Sequence, residues 1–294
     1  MTDYTLQEWV HEWLYTYKRI MIKPSTFDSY IQYCTNVTCN KQLSELQTSD
    51  IQGMINCMIA AGKQLSTIKH MLTIVRQSLR KARLLGLIES LSCMDNIELP
   101  RARPKPVKGL TDEQARLVLD NSARSYYGPL FSALLLTGCR VGELIALRWH
   151  DVDFFNNCIY ITNTDYNGSL QPVKTANGVR CLPMYGRFAD IIRQLHKQPR
   201  GERVFLNTLG RPVVYRTLLD DWHWFCSHVG LYDCVGLHTL RHTFARMSIR
   251  AGVPIKVVSA WMGHADVRIT LNIYDSVDAA DMVHAAETLE EMFA

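Results

Sequence analysis

The segment at residues 100–109, Pro-Arg-Ala-Arg-Pro-Lys-Pro-Val-Lys-Gly, constrains the fold of this chain most. Its three prolines and four positive charges cannot continue a helix, because proline lacks a backbone N–H and its ring clashes with the preceding turn. We therefore predict an interdomain linker at residues 101–109. A first domain of residues 1–100 precedes it, and a second domain of residues 110–294 follows it.

The composition indicates a globular protein without a membrane partner. Of the 294 residues, 47% are hydrophobic and 20% are charged, which is enough apolar material for a sizeable core. No apolar run approaches the roughly 20 residues that span a bilayer, and the first residues lack a basic start followed by an apolar stretch. The nine cysteines are scattered and include no Cys-x-x-Cys pair, as in proteins with reduced thiols. We therefore expect a cytoplasmic protein.

Positive charge is concentrated in the first part of the chain. Residues 1–108 carry 14 Lys and Arg against 9 Asp and Glu, a net charge of +5, whereas the remainder carries 18 against 19, a net charge of −1. This excess fits a surface that binds a polyanion such as DNA, although many helical domains without that role reach the same charge. The linker charges leave two interpretations open, contact with DNA and simple solvation.

Apolar residues recur at helical spacing in the first domain. Two amphipathic stripes consist of Leu6, Trp9, Val10, Trp13, Leu14 and Tyr17, and of Ile51, Met54, Ile55, Met58 and Ile59. The second stripe follows Thr-Ser-Asp at residues 48–50, a typical helix start. With a helix after Pro24 and another from about Leu65 to Gly86, the first domain is predicted to be all-helical.

The second domain is predicted to combine helices with short strands. Residues 111–114, Thr-Asp-Glu-Gln, have the form of a capping box. Further helices are predicted over residues 127–137 and 142–147 and from 215 to the end, with breaks at Gly230, 252–254 and Gly263. Strands are predicted over residues 158–162, 170–174 and 180–184, with a turn at 175–178 between the last two. The fold class is therefore mainly α with a small antiparallel β-sheet.

Four separated segments of the second domain carry residues suited to phosphate chemistry. They are TGCRVGEL at residues 137–144, VKT at 173–175, HTLRHTFA at 238–245 and MGH at 262–264, with Tyr274 ten residues after the last. Each segment is a weak signal by itself. Together and in this order they resemble the phage integrase or tyrosine recombinase family, in particular its simple Xer-like members. The resemblance covers essentially the whole chain, and its motifs are most specific in the second domain.

The resemblance implies a helical core-binding domain followed by a mixed α/β catalytic domain. It implies a site-specific recombinase that cleaves and rejoins DNA through a 3′-phosphotyrosyl intermediate, for integration or excision of a mobile element or for Xer-like resolution. The implied partners are a double-stranded DNA recombination site and a homotetramer on synapsed DNA, and accessory DNA-bending or directionality proteins are compatible with this activity. No metal or other cofactor is expected, because the phosphotyrosyl bond conserves the energy of the phosphodiester.

The resemblance assigns the attack on the phosphodiester to Tyr274. Such an attack builds negative charge on the non-bridging oxygens and on the leaving 5′ oxygen. Arg140 and Arg241 are expected to clamp the phosphate, since a guanidinium is planar and permanently charged. Lys174, at the start of the predicted turn, is expected to protonate the leaving oxygen.

The remaining site residues are two histidines and a glutamate. By the same resemblance, His238 and His264 are expected to hydrogen-bond the scissile phosphate, and His238 can also accept the proton of Tyr274. Glu143 matches the acidic position after the first arginine of the family, and it is expected to support the site without taking a chemical step.

Other functions compete with this interpretation. The spacing of His238 and His242 would let two histidines share a zinc ion on one helical face. However, the intervening Thr-Leu-Arg differs from the pattern of zinc proteases, and Arg241 would place a cation beside the metal. A type IB topoisomerase and a DNA-binding regulator that has lost its activity are the further alternatives. The set of candidate residues disfavours the regulator, and the Xer-like arrangement disfavours the topoisomerase.

Overall fold

The structure is a computed structural model and describes residues 4–101, 109–173, 178–232, 236–273 and 290. The chain divides into two compact units, residues 1–104 and 105–294. Most of the predicted linker, residues 102–108, lies outside the described residues. Within the described ranges, no helix combines the length and apolar character needed to cross a membrane.

Helices form most of the described part of the first unit. They are α1 Leu6–Trp13, α2 Pro24–Cys34, α3 Thr48–Ala60 and α4 Leu65–Leu84, and α1 continues through a π-helical turn at Leu14–Lys18. The predicted stripes face one core, as in the fully buried Leu6, Ile51 and Ile55, except that Ile59 at the end of the second stripe is 41% exposed. The indole N–H of Trp9 donates to the Ser78 carbonyl at 2.8 Å and so joins α1 to α4. The prediction of helices in this unit is confirmed.

The second unit is also mainly helical. Its helices are α5 Asp112–Asp120, α6 Gly128–Thr137, α7 Val141–Ala146, α8 Gly186–His196, α9 Tyr215–Val229, α10 His238–Arg250, α11 Ile255–Met262 and α12 Val267–Ile273. The predicted capping box begins α5, because the Thr111 hydroxyl accepts from the Gln114 N–H and the Gln114 side chain accepts from the Thr111 N–H. Gly230 and Gly263 end α9 and α11 in the left-handed conformation, at the predicted breaks.

The strands of the second unit are arranged differently from the prediction. They are β1 Val152–Asp153, β2 Cys158–Ile161, β3 Asn163–Tyr166, β4 Ser169–Pro172 and β5 Arg180–Pro183. One antiparallel sheet has the order β1-β2-β5, and β3 and β4 form a separate hairpin. The prediction that residues 170–174 and 180–184 pair across a turn was therefore wrong. Residues 170–172 pair with β3, and β5 pairs with β2.

The core of the second unit surrounds α6. Phe131 of α6 is fully buried and meets the rings of Trp222 and Phe225 of α9 at centroid distances of 4.9 and 5.6 Å. On another side α6 packs against α10. At the C-terminal end of α6, a Cβ on Gly138 would lie 2.2 Å from the Phe244 ring, so only glycine allows this approach. The core thereby holds the end of α6 beside the first turns of α10.

Candidate active site

Three arginines converge on the C-terminal end of α11. The last carbonyls of a helix lack intrahelical partners and carry partial negative charge, which favours cations. Arg180, Arg241 and Arg140 donate to the consecutive carbonyls of Trp261, Met262 and Gly263 at 2.5, 2.8 and 3.2 Å. One helix end therefore fixes guanidinium groups from β5, from α10 and from the residue before α7.

Arg241 is held by main-chain oxygens at the ends of two helices. Its side chain is 3% exposed, and its two terminal nitrogens donate to the carbonyls of Gly138 at 2.6 Å and Met262 at 2.8 Å. Burial, and then the charge of Arg140, lower the pKa of Arg241 to about 10. The guanidinium remains protonated at neutral pH, so the site contains a buried, fixed cation.

Glu143 connects the other two arginines. This carboxylate is 2% exposed and accepts from Arg140 and from Arg180, each at 2.8 Å, and it also accepts from the Arg140 backbone N–H at 2.9 Å. Burial alone would raise the pKa of Glu143, but the hydrogen bond and charge of Arg180, followed by those of Arg140, outweigh it and lower the pKa. The sequence could not show whether Glu143 is more than a surface charge. The structure places it in the interior of the site.

The arginine cluster has an excess of positive charge. It consists of the guanidinium groups of Arg140, Arg180 and Arg241, and Glu143 supplies one negative charge against these three. The Arg140 side chain is 43% exposed, so the cluster opens to solvent on that side. Such an arrangement suits a tetrahedral anion, because a guanidinium offers a planar fork of N–H donors, and Arg140 and Arg241 each have more donors than the two side-chain bonds described above. All five N–H groups of Arg180 have partners within the protein, so Arg180 contributes its charge and holds Glu143.

The histidines beside this cluster are held in the neutral form. His264 is 9% exposed, and its Nδ1 lies 2.8 Å from the Thr270 hydroxyl of α12. Burial, followed by the charges of Arg241 and Arg140, lowers the pKa of His264 to about 4. His238, the first residue of α10, is exposed on one side, yet partial desolvation and the same two arginines lower its pKa as well. Both imidazoles can therefore accept a proton or a hydrogen bond at neutral pH.

His242, the second histidine of α10, packs against the first, His238. The rings of His238 and His242 meet edge to face, with centroids 5.3 Å apart. Burial, and then the neighbouring His238 and Arg241, lower the pKa of His242 to about 4. Within the described ranges, no group of three His, Cys, Asp or Glu side chains is arranged to hold a metal ion.

The structure brings together the predicted Arg140, Glu143, His238, Arg241 and His264. Lys174 and Tyr274 lie outside the described residues. The structure does describe the element that precedes each of these two residues. β4 ends two residues before Lys174, and α12, which packs against α10 and α11, ends one residue before Tyr274.

Two residues of the site were missed or undervalued by the sequence analysis. Arg180 entered it only as part of the pattern after Lys174, although the structure buries this side chain against Glu143. Thr270 was not singled out, because one threonine on a helix face carries no distinctive signal. Thr270 follows His264 by six residues in the sequence, but only the fold shows that the two side chains are in contact.

The free energy of unfolding is expected to fall as the pH is lowered from about 6.5 to about 4. An unfolded histidine takes up its proton near pH 6.5, whereas the folded chain holds the pKa of His264 at about 4. Over this range the unfolded state binds more protons and is favoured. Chemical denaturation at several pH values should therefore show a pH dependence that is smaller in His264→Asn by roughly 1–3 kcal/mol. An identical pH dependence in the two proteins would contradict the depressed pKa.

Comparisons with known proteins identify similar chains. The model of the phage integrase family matches residues 108–281. A tyrosine recombinase XerC-like protein of Caldanaerobacter subterraneus is 26% identical over 328 aligned residues, which cover 99% of this chain and 84% of that protein.

Solved structures share the fold at lower identity. The Tn1549 transposon integrase in complex with a circular intermediate DNA has a TM-score of 0.81 at 19% identity, over 98% of this chain and all of that one. A lambda integrase tetramer bound to a Holliday junction has a TM-score of 0.73 at 19% identity, over 89% of this chain and 78% of that one.

Proposed function

Because this chain belongs to the phage integrase family, whose members are tyrosine-type site-specific recombinases, we propose that it cleaves and rejoins duplex DNA through a bond between Tyr274 and a 3′ phosphate. The observation that carries the proposal is the cluster of Arg140, Arg180 and Arg241 on the end of α11. It is a cationic site with neutral histidines beside it, and one of these, His264, contacts Thr270 of α12, the helix that ends one residue before Tyr274. A transferring phosphoryl group needs these features.

The proposed reaction exchanges one phosphoester for another. The Tyr274 oxygen attacks phosphorus, the bond to the 5′ oxygen breaks, and a 3′-phosphotyrosyl bond and a free 5′ hydroxyl result. The proton of Tyr274 passes to His238, whose lowered pKa keeps it neutral and able to accept. Lys174 donates a proton to the leaving 5′ oxygen. Rejoining reverses these steps with the 5′ hydroxyl of another strand, so no external energy source is required.

The arginines would stabilise the transition state with little rearrangement. Arg241 is already fixed by two carbonyls, and Arg140 by Glu143 and the Gly263 carbonyl. Donors fixed in advance stabilise developing charge without a reorganisation cost at the moment of reaction. With the Thr270 hydroxyl donating to Nδ1 of His264, the proton of the neutral imidazole is on Nε2, which can donate to a phosphate oxygen. In this scheme the arginines and His264 bind the phosphate, and His238 and Lys174 transfer the protons.

The proposed partner is a double-stranded recombination site, bound by four copies of this chain. The Tn1549 integrase in complex with circular intermediate DNA and the lambda integrase tetramer on a Holliday junction support this assignment. The first unit, residues 1–104, carries 12 Lys and Arg against 9 Asp and Glu, and this net charge of +3 supports a DNA-binding role, as in the core-binding domains of the family. Integration or excision of a mobile element and Xer-like resolution both use this chemistry.

Recovery of covalently attached DNA tests the proposed function. The protein would be incubated with fragmented genomic DNA from its source and denatured, and the DNA linked to protein would be sequenced. We expect a short set of related sites joined through a 3′ phosphate. Attachment at random positions would contradict site specificity, and the absence of any attached DNA would contradict the covalent mechanism. The positions recovered also distinguish a chromosomal resolution site from the ends of a mobile element.

Lys174→Ala is expected to cleave ordinary DNA roughly 10²- to 10⁴-fold more slowly, which is the usual contribution of a general acid. On DNA whose 5′ bridging oxygen is replaced by sulfur, its rate should approach that of the unmodified protein, because a thiolate leaves without a proton. Single-turnover adduct formation on both substrates measures this. Lys197→Ala is the control, since Lys197 follows α8 and the sequence places it less well for this role. A defect of equal size on both substrates would remove Lys174 from the acid step.

A further inference from the structure

One buried arginine joins the β3–β4 hairpin to helix α7. Arg203, between α8 and α9, is 9% exposed at its side chain, and the Asp165 carboxylate of β3 is 2% exposed. The guanidinium donates to this carboxylate at 2.5 Å, to the Gly168 carbonyl in the hairpin turn at 3.1 Å and to the Ile145 carbonyl in the last turn of α7 at 3.2 Å. A single side chain thus connects the strand, the turn and the helix.

The hairpin lies directly on α7. A Cβ added to Gly142 of α7 would come within 2.5 Å of the Thr164 hydroxyl oxygen and 3.1 Å of the Asp165 carbonyl oxygen. The absence of a side chain at Gly142 therefore permits the close approach. Arg140 immediately precedes α7 and Glu143 lies within it, so the hairpin contacts the same helix that positions part of the arginine cluster.

The hairpin is internally connected as far as the residue before Lys174. Its strands pair from Tyr166 and Ser169 at the turn to Asn163 and Pro172 at the open end. The next N–H, that of Val173, donates to the Thr162 carbonyl at 3.3 Å. At the turn, the Asp165 carboxylate also accepts from the Gly168 N–H at 2.8 Å. A displacement of the turn is therefore transmitted along the ladder to the end of β4.

From these contacts we propose that Arg203 and Asp165 are positioning residues for proton donation to the leaving 5′ oxygen. A two-stranded hairpin is only marginally stable by itself and needs packing against another element. Here the buried ion pair of Arg203 and Asp165 fixes the hairpin against α7. It thereby also fixes the end of β4, two residues before Lys174, relative to Arg140. Neither Arg203 nor Asp165 contacts the phosphate in this scheme. The inference rests on the proposed function, specifically on Lys174 as the general acid.

Two variants test this role. Arg203→Met removes all three contacts, and Asp165→Asn removes the charge but retains an oxygen for the Gly168 N–H. Arg148→Met is the matched control, because Arg148 pairs with Arg203 in a β-bridge and forms ion pairs of its own with Asp151 and Glu202, outside the hairpin. Thermal unfolding and DNA affinity would first establish that each variant is folded.

The decisive measurement is the cleavage rate on ordinary DNA and on the 5′-sulfur substrate. A shift of about 1 Å in a reacting group can cost on the order of 10²-fold, so Arg203→Met and Asp165→Asn should be about 10- to 100-fold slower on ordinary DNA. Both should recover on the sulfur substrate, as Lys174→Ala does, whereas Arg148→Met should respond equally to the two substrates. Hydrogen exchange of residues 163–173 should rise in Arg203→Met and stay unchanged in Arg148→Met.

Each contrary outcome identifies a different error. If Lys174→Ala recovers on sulfur but the Arg203 and Asp165 variants do not, the ion pair supports the fold and does not position the acid. If Lys174→Ala itself shows no recovery, the proposed role of Lys174 is wrong, and this inference fails with it. Normal cleavage of ordinary DNA, or unchanged exchange of the hairpin, in folded Arg203→Met would also overturn the proposal. Asp165→Asn decides the question if Arg203→Met does not fold.

Discussion

The Tyr274→Phe variant is expected to form no covalent adduct with DNA while binding its site within about twofold of the unmodified affinity. Only the hydroxyl is lost, so the ring, the packing and the charges that contact DNA remain. Loss of the nucleophile removes the covalent pathway entirely, and this is the largest effect that a single substitution can have on the proposed reaction. The measurement uses a nicked suicide substrate, on which the cleaved end diffuses away and the adduct accumulates.

A second tyrosine provides the control for this experiment. Tyr232, three residues after the end of α9, is 83% exposed, so Tyr232→Phe should leave both adduct formation and binding unchanged. Peptide mapping of the adduct formed by the unmodified protein should place the phosphate on residue 274. Adduct formation by Tyr274→Phe would move the nucleophile to another side chain and would require a different mechanism.

Arg241→Lys is expected to slow cleavage by roughly 10²- to 10³-fold, the usual cost of losing one fixed donor of a transition-state clamp. Lysine keeps the charge but has a single nitrogen. It cannot contact the carbonyls of Gly138 and Met262 together and also present a planar fork to the phosphate. Single-turnover cleavage at saturating protein separates this effect from weaker DNA binding.

Arg250, on the same helix as Arg241, provides the control for this substitution. Arg250 is in the last turn of α10 and pairs with Asp112 at 3.3 Å. Arg250→Lys should therefore preserve the cleavage rate. A loss smaller than about tenfold in a folded Arg241→Lys protein would mean that Arg241 holds α6 and α11 together without acting on the phosphate. Denaturation of both variants distinguishes a change in stability from a change in catalysis.

Local signals predicted most helices of this chain, but not α8, Gly186–His196. The capping box at residues 111–114 and the glycines at 230 and 263 mark helix ends through contacts within a few residues, and such contacts can be inferred from the sequence alone. The apolar stripes of α1 and α3 likewise identified buried faces. Helix signals are local, because each helical hydrogen bond joins residues that are close in sequence.

The strands were harder to place, because pairing depends on residues far apart in the chain. The segment at residues 170–174 is β-prone, but this property does not specify which strand it pairs with. A stronger signal was overlooked. Asn167 and Gly168 both have positive φ, at 51° and 83°, and Asn-Gly is the typical dipeptide of a tight hairpin turn. It would have indicated a hairpin of residues 163–172 in place of the predicted turn at 175–178.

The site residues were proposed from motifs that occur in a set order along the chain. The groups that hold these residues in place could not be predicted from the sequence. The motifs include Arg140, Arg241 and His264, which the fold brings to one place. The groups that hold them are largely backbone carbonyls and a buried carboxylate. A carbonyl is present at every residue and has no signature in the sequence, so its selection by an arginine emerges only from the three-dimensional structure.

The way the arginines are anchored determines which changes the site can tolerate during evolution. Arg180, Arg241 and Arg140 are held by the backbone of residues 261–263, so the identities of Trp261 and Met262 matter to this contact only through packing. Side chains at the end of α11 can therefore be substituted without displacing the three guanidinium groups. A one-residue insertion or deletion in α11 would instead rotate its terminal carbonyls by about 100°. It would misplace all three guanidinium groups in one event, and no single later substitution would restore them.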